Sequence, residues 1–140
     1  MERYILDTNI VVFLVSGEVD NLSKDTEGIL GDLNNQLNIS SVAVVELLQL
    51  YRIGKVKTKK YKTANAIVQA IEKDFYINII PFAKEHTVTF SLLDTAKGHN
   101  DPFDHSIISH AITEKLTLIS SDRQFENYTK QKLKFVFNKR

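Results

Sequence analysis

Cysteine is absent from this 140-residue chain, which excludes disulfide staples and thiolate metal sites and suits a reducing, cytoplasmic location. Proline occurs only twice and glycine five times, and no low-complexity tract or internal repeat divides the chain. A single domain spanning residues 1–140 is expected, long enough to bury about two-thirds of its unfolded surface in one core. Long hydrophobic runs are missing too. The longest early one, Ile10 to Val15, is far too short for a membrane span and makes a poor signal peptide, so no membrane association is expected. Neither sign of charge is in excess: the net charge is +1, so any phosphate-binding surface has to be local. What is present, 43% apolar and 25% charged residues, is the composition of an ordinary soluble globular protein.

Short apolar runs alternate with helical patterns. Arg3 to Leu6 reads as a strand, and Asp7-Thr8-Asn9 opens an apolar helix to about Val15. A polar turn from Gly17 to Ser23 precedes a helical pattern through Leu30 and Leu33, and Leu37 to Ile39 forms a second strand. Ser40 or Ser41 caps a helix to about Arg52, ended by Gly54. A basic run to Lys62 then leads into an amphipathic helix with Ala66, Ile67, Ala70 and Ile71 on one face. Ile77 to Phe82 is a third strand, Ala83 to Leu93 and Phe103 to Lys115 are helices, and Leu116 to Ile119 and Lys134 to Phe137 are the last strands. This alternation predicts an α/β fold with a mostly parallel sheet of four to five short strands covered on both faces.

Four acids follow the strands: Asp7, Glu46, Asp104 and Asp122. In such a fold the strand C-terminal ends converge on one ligand-binding crevice. Carboxylates gathered there repel by roughly 1 kcal/mol per pair at ~4 Å in water, and by about 4 at an effective dielectric near 20. A divalent cation would hold them together. Three of the four also fit helix N-terminal positions, Asp7 and Asp122 as N-caps and Asp104 at the third residue of its helix, while Asp101 before Pro102 reads as a cap alone. Glu46 has no such explanation. Its helix, Val42 to Leu48, is apolar nearly all round, and a buried carboxylate costs several kcal/mol unless neutralised or paired. A metal or a metal-bound water accounts for it, and a basic partner is the competing account.

All-oxygen donors suit Mg²⁺, with Mn²⁺ as a substitute, and His105 and His110 lie five apart rather than the four that would stack zinc ligands on a helix. His86, His99, His105 and His110 are expected at the surface or at the site edge, with His105 the one nearest a phosphate. Between Arg52 and Lys62 six of eleven positions are basic, including Arg52, Lys55, Lys57, Lys59 and Lys60. Such a run is either a solvated loop or a guide for a phosphate backbone, with Tyr51 or Tyr61 available for base stacking.

The residues now resemble a known family. Tyr4-Ile-Leu-Asp-Thr-Asn9, Ile39-Ser-Ser-Val-Ala-Val-Val-Glu-Leu47, His99-Asn-Asp-Pro-Phe-Asp104 before Ile107 to Ala111, and Leu118-Ile-Ser-Ser-Asp-Arg-Gln-Phe125 are similar to the motifs of PIN domains, in family order and over nearly the whole chain. Among PIN domains the chain resembles the VapC-type ribonuclease toxins of bacterial toxin–antitoxin pairs. The resemblance places the family's catalytic acids on Asp7, Glu46, Asp104 and Asp122, with Thr8, Asn9 and Ser120 as polar support. Where family toxins often carry Arg after the second Asp of the DPFD motif, this chain has His105. The family implies a three-layer α/β/α fold and Mg²⁺-dependent cleavage of single-stranded or loop RNA; Asp7 and Asp104 are expected as direct metal ligands, with Glu46 and Asp122 completing the site through a second ion or by orienting metal waters. The family also implies a cognate antitoxin, and a homodimer is expected. For that antitoxin the sequence suggests that part of the apolar face of Ile10, Val11, Phe13, Leu14, Ile29, Leu30 and Leu33, with the helix from Ser41, forms a groove, the alternative being that these faces are core or a homodimer interface. A non-catalytic PIN-fold RNA-binding module is the alternative, and retention of all four acids disfavours it. A receiver-type phosphoacceptor would want paired acids after the first strand and an Asp ending the third, where this chain has Asp7 alone and Pro81-Phe82.

Overall fold

Five short strands and six α-helices alternate in the computed structural model, which describes residues 1–140. In chain order they are β1 (Arg3–Leu6), α1 (Thr8–Ser16), α2 (Lys24–Gly31), β2 (Gln36–Ser40), α3 (Ser41–Arg52), α4 (Ala64–Lys73), β3 (Asn78–Ile80), α5 (Lys84–Leu92), α6 (Pro102–Glu114), β4 (Thr117–Ser120) and β5 (Lys134–Phe137). All four strand pairings are parallel and the order is β3-β2-β1-β4-β5, a three-layer α/β/α arrangement. The sheet is therefore wholly rather than mostly parallel. β1 is its middle strand, and the chain reverses its direction of travel between β1 and β4. That reversal opens a crevice at the strand ends, where parallel sheets bind ligands.

Local chemistry explains most boundaries. Ser40 caps α3 by accepting the Val42 N–H at 3.3 Å, and Thr63 caps α4 by accepting the Ala66 N–H at 3.0 Å. Gly17 ends α1 at φ +77°, a left-handed conformation that a side chain would strain. The expected third strand from Ile77 to Phe82 shrinks to β3, with Pro81, which has no N–H to donate, just beyond its end. A 3₁₀ segment, Arg123–Gln131, occupies a stretch with no sequence assignment. Its signal is the spacing of Phe125 and Tyr128, three apart on one face and both fully buried.

One apolar cluster runs through the molecule, with Ile5, Leu6 and Ile39 of the sheet against Ile10, Leu47, Ile67, Ile71, Ile107 and Ile108 of the helices. This narrows the face left for a partner groove. Ile10, Val11 and Phe13 are core, Leu14, Ile29 and Leu30 pack against it, and Leu33 stands alone in a turn. The thin sheet uses Ile10, Val11 and Phe13 to exclude water, while the half-buried Leu14 lines an open groove with Val15 and Phe75. No helix is long and apolar enough to cross a membrane.

Candidate active site

Asp7 ends β1 and caps α1. Its N–H donates to Ile119 O at 2.9 Å and its Oδ1 accepts the Thr8 N–H at 2.8 Å, so the capping role is real. Its Oδ2 accepts the Ser120 hydroxyl at 2.6 Å and the Asn9 amide at 3.2 Å. Ser120 also accepts from the Asn9 amide at 3.2 Å and from the Asp122 N–H at 3.0 Å, while Asn9 Oδ1 accepts the Ser121 N–H at 3.3 Å. Asn9 and Ser120 thus tie the ends of β1 and β4 together and leave Asp7 one orientation.

Thr8 is buried and turns its hydroxyl to Glu46 Oε1. Glu46 therefore has a hydroxyl partner and no basic one, and none of the four ion pairs of the molecule includes Asp7, Glu46 or Asp122. Its helix is less buried than its apolar sequence implies, with Val45 59% exposed and Glu46 half-buried at the crevice wall. Asp104 lies in the first turn of α6, and Asp122 caps the 3₁₀ segment by accepting the Gln124 N–H at 2.9 Å. Asp101 caps α6 through the Phe103 N–H at 2.9 Å and lines the crevice as well. Its capping pattern does not reveal this second role, although it stands in the same motif as Asp104.

Asp7, Glu46, Asp101, Asp104 and Asp122 face one cleft of about 340 Å³, and Lys55 is the only cationic residue in its lining. The electrostatic cost is visible in the acids. Burial raises the Asp7 carboxyl to about 7, with Asp104 and Glu46 adding to the rise and the Ser120 and Thr8 hydrogen bonds opposing it. Burial, then Asp101, Glu46 and Asp122, raises Asp104 to about 7. Glu46 is raised by burial and by Asp101, against its bond from Thr8. Converging hard oxygens, mutually repelling and short of cationic partners, fit Mg²⁺ or Mn²⁺.

The histidines are not at the surface, although His99 stands at the site edge against Asp104. All four are buried. His105 is packed against Phe90, His99 and Tyr128, and burial lowers its pKa, which removes it from any exposed phosphate contact. His110 stacks on His86 with ring centroids 3.9 Å apart, and burial followed by His86 drives it down to about 4. His86 accepts the Ala83 N–H at Nδ1 and meets Glu114 at 2.7 Å through Nε2, tying α5 to α6. Glu85, His86 and Glu114 bring ligand atoms within 4.8 Å of one another, but both ring nitrogens are engaged and the cluster shares no lining residue with the acidic cleft.

The basic run divides. Lys55 reaches the cleft, whereas Lys59 and Lys60 line a separate groove with Asp74, to which Lys60 is paired at 3.8 Å. Arg52 and Lys57 are exposed. Tyr61 is buried and donates to Asp74 at 2.8 Å, so it is not available for stacking, and the Tyr51 hydroxyl donates to Lys62 O at 3.1 Å.

The PIN domain family model matches residues 4–131. The chain is similar to a chain of the Rickettsia felis VapBC2 structure bound to a promoter DNA fragment, with 27% identity over 97% of this chain and 98% of that one and a TM-score of 0.72. VapBC-1 of nontypeable Haemophilus influenzae matches at 19% identity over 96% and 97%, TM-score 0.66, and DNA-bound VapBC of Salmonella typhimurium at 17% over 98% of each chain, TM-score 0.65. No curated protein matches the sequence. With the parallel sheet, the acidic cleft at the β1/β4 reversal and the family match over residues 4–131, the chain belongs to the PIN domain family and is a VapC-like member of it.

Proposed function

We infer that this protein is an Mg²⁺-dependent endoribonuclease that cuts single-stranded or loop RNA, and that it is the toxin of a type II toxin–antitoxin pair. One observation carries the nuclease reading: five carboxylates converge on a cleft at the sheet's switch point with Lys55 as their only cationic neighbour. Bound Mg²⁺ or Mn²⁺ would supply charge stabilisation at the attacked phosphate and a water of lowered pKa. Asp7 and Asp104 would hold it. Ser120, Asn9 and Thr8 keep the Asp7 and Glu46 oxygens aimed beforehand, which spares reorganisation during the reaction. Glu46 and Asp122 would orient water, and Lys55 at the cleft would steer the RNA backbone. Incubating purified protein with RNA in Mg²⁺ and in EDTA tests the reading. Cleavage only with metal supports it, and RNA that is bound but left intact in Mg²⁺ would favour the non-catalytic binding module.

The basic residues yield a separate expectation. Lys55→Ala should lower cleavage and flatten the log–log salt dependence of RNA binding by up to roughly 0.7, the value of one phosphate contact on a single strand. Neutralising Lys57, Lys59 and Lys60 together should raise KM and leave the rate at saturating RNA nearly unchanged. Salt titrations with both variants measure this, and an unchanged slope would return the run to a solvated loop.

Similarity to chains of VapBC structures supports an antitoxin partner encoded beside the gene. A basic side chain from that partner could enter the acidic cleft and displace the ion, since Arg–carboxylate pairs are strong and bidentate. Co-expression with the adjacent small reading frame should give a co-purifying complex with suppressed cleavage. Sizing of the free protein would report whether it pairs as a homodimer. If the two proteins elute apart and cleavage is undiminished, the toxin reading is wrong.

A further inference from the structure

Asp104 differs from the other cleft acids in having a side-chain ring behind it. Its Oδ2 lies 2.8 Å from His99 Nε2, its other carboxylate oxygen has no hydrogen-bond partner, and the residue lines the cleft. His99 sits between α5 and α6 in a connection with no regular structure, yet it is only 3% exposed. Gly98, at φ +81°, makes the turn that brings it inward, closed by the His99 N–H donating to Ala96 O at 3.0 Å. Behind His99, the Tyr128 hydroxyl stands 2.7 Å from Nδ1 and accepts the Ala96 N–H at 3.0 Å. An ionised Asp104 carboxylate can only accept, so Nε2 is the nitrogen that donates to it, and Nδ1 of the neutral ring then accepts the phenol proton. His105 Nε2, at 3.5 Å from the same hydroxyl, is the weaker competitor. The rings of His105 and Phe125 stand nearly perpendicular to the His99 ring, at 75° and 89°, and fix its plane.

We propose that Tyr128 and His99 form a positioning chain that holds the Asp104 carboxylate in its metal-binding orientation and so sets the affinity of the cleft for a divalent cation. The proposal rests on the metal-site reading given above. A carboxylate on a helix end has several rotamers open to it, and a fixed donor on one oxygen leaves the other aimed at the ion. Partners of this kind around metal ligands are worth roughly 10–100-fold in affinity or activity. Neither residue would touch RNA or metal.

Calorimetric titration of Mn²⁺ into RNA-free protein tests this, beside melting curves recorded in EDTA. His99→Phe keeps a ring and removes the donor, so Mn²⁺ affinity should fall about 10–100-fold with little change in melting temperature. His99→Gln places an amide near the Nε2 position and should restore most of that loss. Tyr128→Phe deletes one hydroxyl and should give a smaller loss, and it decides the matter alone if His99→Phe does not fold. Wild-type affinity in His99→Phe, or in Tyr128→Phe where that variant has to decide, overturns the proposal. A loss that Gln fails to restore, together with a lowered melting temperature, also overturns it, because His99 would then only anchor its loop. Absence of Mn²⁺ binding by the wild type would instead reject the metal-site reading itself.

Discussion

Asp7→Asn and Asp104→Asn should each lower RNA cleavage by more than about a hundredfold, since even partners that merely orient a metal ligand cost 10–100-fold. Asn keeps the shape of the side chain and removes the charge that holds a cation. At Asp7 it also keeps the cap, because Asn accepts the Thr8 N–H nearly as well as Asp does. Loss of activity would therefore report on charge and not on collapse of α1. EDTA should abolish wild-type cleavage, and added Mg²⁺ or Mn²⁺ should restore it. Single-turnover cleavage of a labelled RNA measures all three effects. Full activity in EDTA would defeat the metal mechanism, and full activity of Asp7→Asn would defeat the assignment of its residue.

Without metal, the same Asp7→Asn protein should be more stable than wild type at pH 8 and nearly equal to it at pH 4. Asp7 and Asp104 both have folded-state pKa values raised to about 7, above the ordinary carboxylate value near 4. Between those limits the folded state binds more protons than the unfolded one, so stability falls as pH rises from about 4 to about 7. Below that window both states are protonated and the penalty is absent; above it the penalty is complete. For Asp7, which is only 4% exposed, its size is on the order of 2–4 kcal/mol. Mg²⁺ should reverse the order at pH 8 by stabilising the wild type alone, because only that protein keeps the full ligand set. Melting temperatures of both proteins across this pH range, with EDTA and with Mg²⁺, test it. A difference that does not vary with pH would show that Asp7 is ionised in the metal-free fold.

Much of the site was legible because its parts are local. The Asp-Thr-Asn motif after an apolar strand, Asp-Pro before a helix and Ser-Ser-Asp after another strand are capping patterns readable over three or four residues, and each cap occurs where expected. Strand–helix alternation likewise dictated a parallel sheet, since parallel neighbours need a crossover between them. Glu46 was legible for a different reason, as an acid in an apolar run with no capping role. Its partner was not, because Thr8 lies 38 positions away in sequence.

Sequence alone determined the class of fold, the order of its elements and the identity of four converging acids. Only the tertiary structure decided which groups surround them. It turned Asp101 into the cleft as well as onto its helix, selected Lys55 from a run of similar lysines, and drew His99 and His105 inward against Tyr128. Periodicity and capping act within a few residues, whereas the burial of a polar ring depends on partners supplied from distant segments. A histidine written in a polar loop has the same local signature whether it faces water or a tyrosine 29 positions further on.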